Sequence, residues 1–152
     1  MASSSIPESL RRQTHEHTGG TWECDDAVVT LTLGPKIQDP NLDTAEAQWA
    51  ADLYEQLKGA TPGRQWSAVV DLGKLPRRWQ PPLAMTMIFA KMMKDPMTKR
   101  VAMIHVSHFQ REVVRLYLLT KGSVGKIRFF ERFDEAAAWV REEEGPSPSP
   151  RS

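Results

Sequence analysis

Three observations predict an α/β fold in a single domain. Apolar residues alternate with period two in several short segments, recur every three or four positions in longer ones, and the two kinds of segment take turns along the chain. Read in order, they give β-β-α-β-α-β-α-β-α. Strands separated by helices imply right-handed crossovers and a mixed, mostly parallel sheet, with an opening hairpin as its antiparallel edge and helices packed mainly on one face. A chain of 152 residues suits one such domain, since at that size roughly two thirds of the unfolded surface can be buried without disulfide support.

Thr21 to Asp25 and Val28 to Leu33 form the hairpin, with Asp25-Asp26 at its turn, and Val28, Thr30 and Thr32 alternate with Val29, Leu31 and Leu33. After Gly34-Pro35 a loop leads to Asp43 or Thr44, either of which can cap a helix whose apolar stripe is Ala45, Trp49, Leu53 and Leu57. Ser67 to Leu72 is short, apolar and followed by Gly73, which predicts a central strand. Pro81 or Pro82 suits the first turn of a second helix running to about Lys94, where Asp95-Pro96 ends it. Val101 to Val106 is apolar on both alternating faces, as a strand covered on both sides must be. Phe109, Val113, Leu116 and Leu119 or Thr120 mark a third helix stopped by Gly122. Ile127 to Arg132 alternates as the last strand, and Asp134 opens a final helix to Glu144. Residues 1–14 are polar and Ser-rich and 145–152 form a Pro/Ser tail, so both ends are expected to be disordered around a domain over 15–144.

Composition narrows the function. With 20 Lys+Arg against 19 Asp+Glu the net charge is +1, which supplies no general attraction to nucleic acid or anionic lipid. No run of about 18 apolar residues appears, and MASSSIPESLRRQ lacks the apolar region of a signal peptide, so stable membrane insertion is not expected. The single cysteine, Cys24, cannot bridge internally and fits a reducing cytoplasm. His15-Glu16-His17 and Cys24 hold three metal-ligand types, but no fourth follows at a finger-like spacing, so neither metal nor other cofactor is expected.

His105, Ser107 and His108 lie at the C-terminal end of one predicted parallel strand and Asp71 ends another, where ligands gather in open α/β sheets. A Ser-His-Asp hydrolase would need its serine on a glycine-rich elbow, and HVSHF has no glycine. These residues therefore read as a strand histidine and a helix-capping serine, and no enzyme is expected. Gly122-Ser123-Val124-Gly125 follows a helix and lacks the Lys-Ser/Thr ending of a phosphate loop.

LPRRWQPPLAMTMIFAKMM, residues 75–93, is the densest candidate site. Lys74, Arg77, Arg78 and Trp79 precede a helix on which Leu83, Met87 and Ala90 form one apolar row, Met85, Ile88 and Met92 a second, and Phe89 with Met93 a third. A helix covering a sheet needs one apolar stripe, so the excess calls for another cover. Arg, Trp and Met are types enriched at protein interfaces. The row Leu83, Met87 and Ala90 is assigned to the core, and Lys74, Arg77, Arg78, Trp79, Met85, Phe89 and Met92 to a partner with an acidic surface, a second copy of the chain being the other candidate. The alternative is a small apolar, lipid-like ligand held by Met85, Phe89, Met92, Leu116 and Leu119.

The order of elements, VVDL at 69–72, and the closing KIRFFERFDEAAAWV at 126–140 together resemble the STAS-like (SpoIIAA-like) family of bacterial anti-sigma-factor antagonists. The resemblance covers about residues 20–144 and is stronger after Ser67. It implies a STAS-like fold and a non-enzymatic cytoplasmic module, regulatory or scaffolding, that binds a protein partner or a small apolar ligand. The wider group is also compared with CRAL-TRIO lipid-transfer domains. In phospho-regulated relatives a serine opens the helix nine or ten residues after the strand-ending Asp. Counting from Asp71 reaches Gln80 and Pro81, with no hydroxyl between Leu72 and Met85, so that serine switch is not expected here.

Overall fold

The computed structural model describes residues 6–25, 27–34, 40–76, 79, 81–108, 110–112, 115 and 126–142. A 3-10 turn over Glu8–Leu10 leads into β1 (Arg12–Thr14), β2 (Thr21–Cys24) and β3 (Val28–Thr32). Then come α1 (Pro40–Ala60), β4 (Trp66–Asp71), α2 (Leu83–Lys94), β5 (Thr98–Ile104), β6 (Ile127–Phe130) and α3 (Phe133–Arg141). Of the helix expected between β5 and β6, His108, Gln110, Arg111, Glu112 and Arg115 are helical, while Phe109, Val113, Leu116 and Leu119 lie outside the described residues. All six strands form one sheet in chain order. β1, β2 and β3 pair antiparallel, and β3 to β6 pair parallel. The chain is thus an α/β domain with a mixed sheet, as the alternation of periods implied. Among the described residues no helix is long and apolar enough to cross a membrane.

The pleat divides the core. Val29, Leu31, Val101 and Met103 face α1 and α2, whereas Val28, Val69, Ala102 and Ile104 face α3 through Ala136 and Val140. α1 and α2 thus share one face and α3 takes the other. Arg100 and Arg128 lie over the Trp139 ring, 5.1 and 5.6 Å from its centroid, and Arg100 Nη1 donates to the Trp139 carbonyl at 2.6 Å. These contacts fasten the end of α3 across β5 and β6.

The expectation of a disordered arm over 1–14 is corrected for residues 6–14; residues 1–5 and the tail over 145–152 lie outside the described residues. Ile6 and Leu10 are buried against α1 and the sheet, and the Trp22 indole N–H donates to the Leu10 carbonyl at 2.8 Å. β1 carries Arg12, Gln13 and Thr14, which have no apolar alternation to announce a strand. Their role is set by pairing with β2, including an Arg12–Glu23 ion pair of 2.9 Å. The β2–β3 turn is as expected: Asp25 Oδ1 accepts from the Ala27 and Val28 N–H groups, both at 3.1 Å.

Helix α1 begins at Pro40, a turn earlier than Asp43 or Thr44 implied, because proline fits the first helical position as well as a polar cap does. Its core face is Ala47, Ala50, Leu53, Tyr54 and Leu57, and Ala45 of the expected stripe is exposed. The unexpected member of that face is Glu46, at 0% exposure. Its Oε2 accepts the Thr18 hydroxyl at 2.7 Å and the Gly34 N–H at 2.9 Å. Thr18 Oγ1 in turn accepts the Gly20 N–H at 3.1 Å, and the Thr18 N–H donates to His15 Nδ1 at 3.2 Å. A Cβ at Gly20 would stand 2.2 Å from Glu46 Oε2, so only glycine lets this turn close onto the carboxylate.

At the opposite end, the Tyr54 hydroxyl donates to Thr98 Oγ1 at 2.7 Å, which itself donates to the Met92 carbonyl at 2.7 Å. Half-buried Lys58 pairs with Asp95, the residue that stops α2. Burial alone would raise the Asp95 carboxyl, but hydrogen bonds from Lys58 and the Met97 N–H, with the charges of Lys58 and Lys126, outweigh it and hold it below the usual carboxylate range.

Two outcomes are expected. Glu46→Leu leaves the Thr18 hydroxyl and Gly34 N–H without their acceptor and lowers stability by about 2–4 kcal/mol in urea denaturation. A carboxyl lowered on folding contributes stability that is complete above its unfolded value, near about 4, and is lost as pH falls through its folded value. Asp95→Asn therefore costs about 1–2 kcal/mol at neutral pH, and its stability declines less steeply than wild type on acidification below about pH 4.

Candidate functional site

The loop from β4 to α2 is held at several points. Leu72 and Leu75 are buried, the Leu75 N–H donates to the Leu72 carbonyl at 3.1 Å, and the Trp79 N–H donates to the Pro76 carbonyl at 3.0 Å. Trp79 is half-buried against the core, and its indole N–H donates to Asp43 Oδ2 on α1 at 3.1 Å. It acts as a latch between the loop and α1, with its indole N–H already engaged and its ring partly covered. A ring carrying both a large apolar face and one donor is drawn inward wherever a buried acceptor can meet that donor. Lys74 is exposed, and Arg77 and Arg78 lie outside the described residues.

Helix α2 starts at Leu83, with Pro82 at its cap and the Thr86 N–H and hydroxyl both donating to the Pro82 carbonyl. Its rotation differs from the one expected. Met85, only 1% exposed, lies in the core, and Ile88, Phe89 and Met92 continue that stripe at spacings of three and four as half-buried residues. Leu83 and Met87, assigned to the core, are 71% and 57% exposed, and only Ala90 of that row is buried. Met85 is thus removed from both candidate sites. The reason is physical: on a helix apolar at nearly every position, pattern alone does not say which stripe meets the sheet.

Phe89 and Met92 line an almost wholly apolar cavity with Trp22, Tyr54, Trp66 and Val101, but its volume is only about 50 Å³. Sites for drug-sized ligands run to roughly 300–1,000 Å³, so this cavity does not fit a lipid-like molecule. Leu116 and Leu119, the other residues expected to hold one, lie outside the described residues.

A second concavity, about 570 Å³, opens at the C-terminal ends of β4 and β5 between Asp71, Gly73, Lys74, Leu75, His105, Ser107 and Gln110. Here the fold brings together residues the sequence places 34 positions apart. His105 Nδ1 lies 2.8 Å from Asp71 Oδ1, which also accepts the Gly73 N–H at 2.8 Å. An ionised carboxylate only accepts, so Nδ1 carries the proton. His105 has φ 59°, in the left-handed region. Ser107 serves as the cap: its Oγ accepts the Gln110 N–H and its own N–H donates to Gln110 Oε1, each at 3.1 Å. Gln110 Nε2 then donates to the Pro76 carbonyl at 2.8 Å, joining this helix start to the β4–α2 loop. Ser-x-x-Gln at 107–110 is a local signal that could have revealed the reciprocal cap. Nothing local announces the Asp71–His105 pair.

No family model matches the chain, and no curated protein matches it.

Proposed function

We propose that the chain is a non-catalytic, cytoplasmic protein-interaction module of the STAS-like kind, regulatory or scaffolding, without the phosphoacceptor serine, and that it docks its partner on the outer side of α2. The observation that carries this reading is the exposure of Leu83 and Met87, one helical turn apart on the same face. Large apolar side chains so placed pay no stability dividend to the monomer and offer a partner a ready anchor. Exposed Ala84 extends the patch, and exposed Lys74, Lys91 and Lys94 lie along the same loop and helix, while α2 itself carries no acidic residue. The partner this chemistry fits presents an apolar ridge flanked by carboxylates. The non-catalytic reading rests on Ser107, whose hydroxyl is engaged as a helix cap.

The test replaces the anchor and spares the latch. Leu83→Ser with Met87→Ser weakens capture of the partner from the native cell by at least about thirtyfold, the effect of losing one interface hot spot. Stability stays within about 0.5 kcal/mol of wild type, because neither side chain is buried. Lys74→Glu with Lys91→Glu slows association and abolishes its salt dependence. Undiminished capture by the Leu83/Met87 variant would sink the proposal. Trp79→Ala is unsuitable here, because losing its bond to Asp43 disturbs the loop itself.

A further inference from the structure

The cleft at the ends of β4 and β5 shares only Lys74 with the docking surface proposed on α2, and three other features in it converge on a single imidazole. Asp71 Oδ1 holds the His105 Nδ1–H, so in the neutral ring the lone pair is on Nε2, and among the described residues nothing bonds Nε2. The His105 side chain is 48% exposed, so that lone pair is not sealed in the core. The backbone at His105 takes the left-handed conformation, φ 59°, which is strained for a residue with a Cβ. Gly73 makes room: a Cβ there would stand 3.0 Å from both Asp71 Oδ1 and His105 Nδ1. A histidine that merely closed the end of the sheet would need neither the buttressing carboxylate nor the strained backbone.

Imidazole held by a carboxylate at one nitrogen and open at the other is arranged as a base or nucleophile. The surroundings choose between electrophiles. An acyl group needs N–H donors for its oxyanion, and two beside the imidazole are already engaged, the Gly73 N–H by Asp71 and the Ser107 N–H by Gln110. A phosphoryl group instead needs positive charge, and Lys74 lines the same cleft.

We propose that His105 Nε2 is a phosphoryl acceptor for small phosphoryl donors. The Nε2 lone pair forms the N–P bond while the bond from phosphorus to the donor's leaving group breaks, its electron pair departing with that group. The Nδ1 proton stays on the ring, hydrogen-bonded to Asp71, whose negative charge offsets the cation produced. Lys74 provides the charge that complements the phosphoryl oxygens.

Phosphoramidate, which releases ammonia on transferring its phosphoryl group to imidazole, is the probe. The full chain is incubated with it, and the acid-labile adduct is mapped by mass spectrometry and assigned to a ring nitrogen by phosphorus NMR. His17 and His108 are exposed and bond no carboxylate among the described residues, so they serve as references within the same molecule. His105 is modified on Nε2 at least about tenfold faster than either, a difference of the size a positioned general-base or orienting contact supplies. Asp71→Asn brings the His105 rate down to theirs, and His108→Ala leaves it unchanged. A His105 rate no faster than the references, modification on Nδ1, or a rate indifferent to Asp71→Asn overturns the proposal. The comparison between histidines needs no variant to fold, and no partner enters it, so it stands or fails apart from the docking reading.

Discussion

The buried carboxylate of Glu46 is the constraint on which the N-terminal half of the fold depends. Taking a carboxylate out of water costs several kcal/mol unless donors replace the solvent. The donors come from two different loops, the Thr18 hydroxyl from the β1–β2 turn and the Gly34 N–H from the exit of β3. Satisfying one group therefore fixes the position of both loops relative to α1. The glycines follow from the same requirement, since Cβ atoms at Gly20 or Gly34 would meet Glu46 Oε2 at 2.2 Å or the Thr18 carbonyl oxygen at 2.0 Å. With α1 placed, Trp22 and Trp66 have a surface to pack on, and Ile6 and Leu10 close it from outside. At the other end of α1, Tyr54 and Lys58 reach Thr98 and Asp95, so the position of the helix carries over to α2 and β5.

What was legible in the sequence is what depends on period alone. Val69, Ala102 and Ile104 alternate with Ala68, Val101 and Met103, and the structure divides them between the two faces of the sheet as a two-residue repeat requires. What was not legible depends on partners distant in the chain. Arg12, Gln13 and Thr14 look like loop until β2 lies beside them. Glu46 looks like a solvated helix residue until donors 28 and 12 positions away converge on it. The rotation of α2 is a different kind of failure. Its twelve residues, Leu83–Lys94, are so apolar that three stripes compete, and only the packed structure shows which one meets the core. The same surplus that hid the core row left Leu83 and Met87 outside, which is why the candidate surface emerged from positions assigned to the interior.

The two candidate sites are mechanically related and share Lys74. Gln110 bonds Ser107 on one side and the Pro76 carbonyl on the other, so the helix start beside the cleft and the loop leading to α2 share one side chain. Trp79 then ties that loop to α1 through Asp43. Asp71, Gly73, Leu75, Pro76 and Trp79 thus form one braced rim along the C-terminal ends of the parallel strands, where open α/β sheets present their ligands. A rim held by named bonds gives a ligand or a partner a preformed surface, which lessens the entropy lost on binding.

The sheet order, with each strand beside its neighbour in the chain, also bears on how the protein forms. No later strand must insert between two that have already paired, so every pairing closes a loop no longer than one crossover, and closure entropy grows only slowly with such lengths. The hairpin of β2 and β3 can offer its free edge to β4, then β4 to β5, then β5 to β6, in the order in which a ribosome releases them. Parallel sheets are slow to fold because their contacts are distant in sequence. A sheet that grows outward in one direction keeps those distances near the minimum that parallel pairing permits.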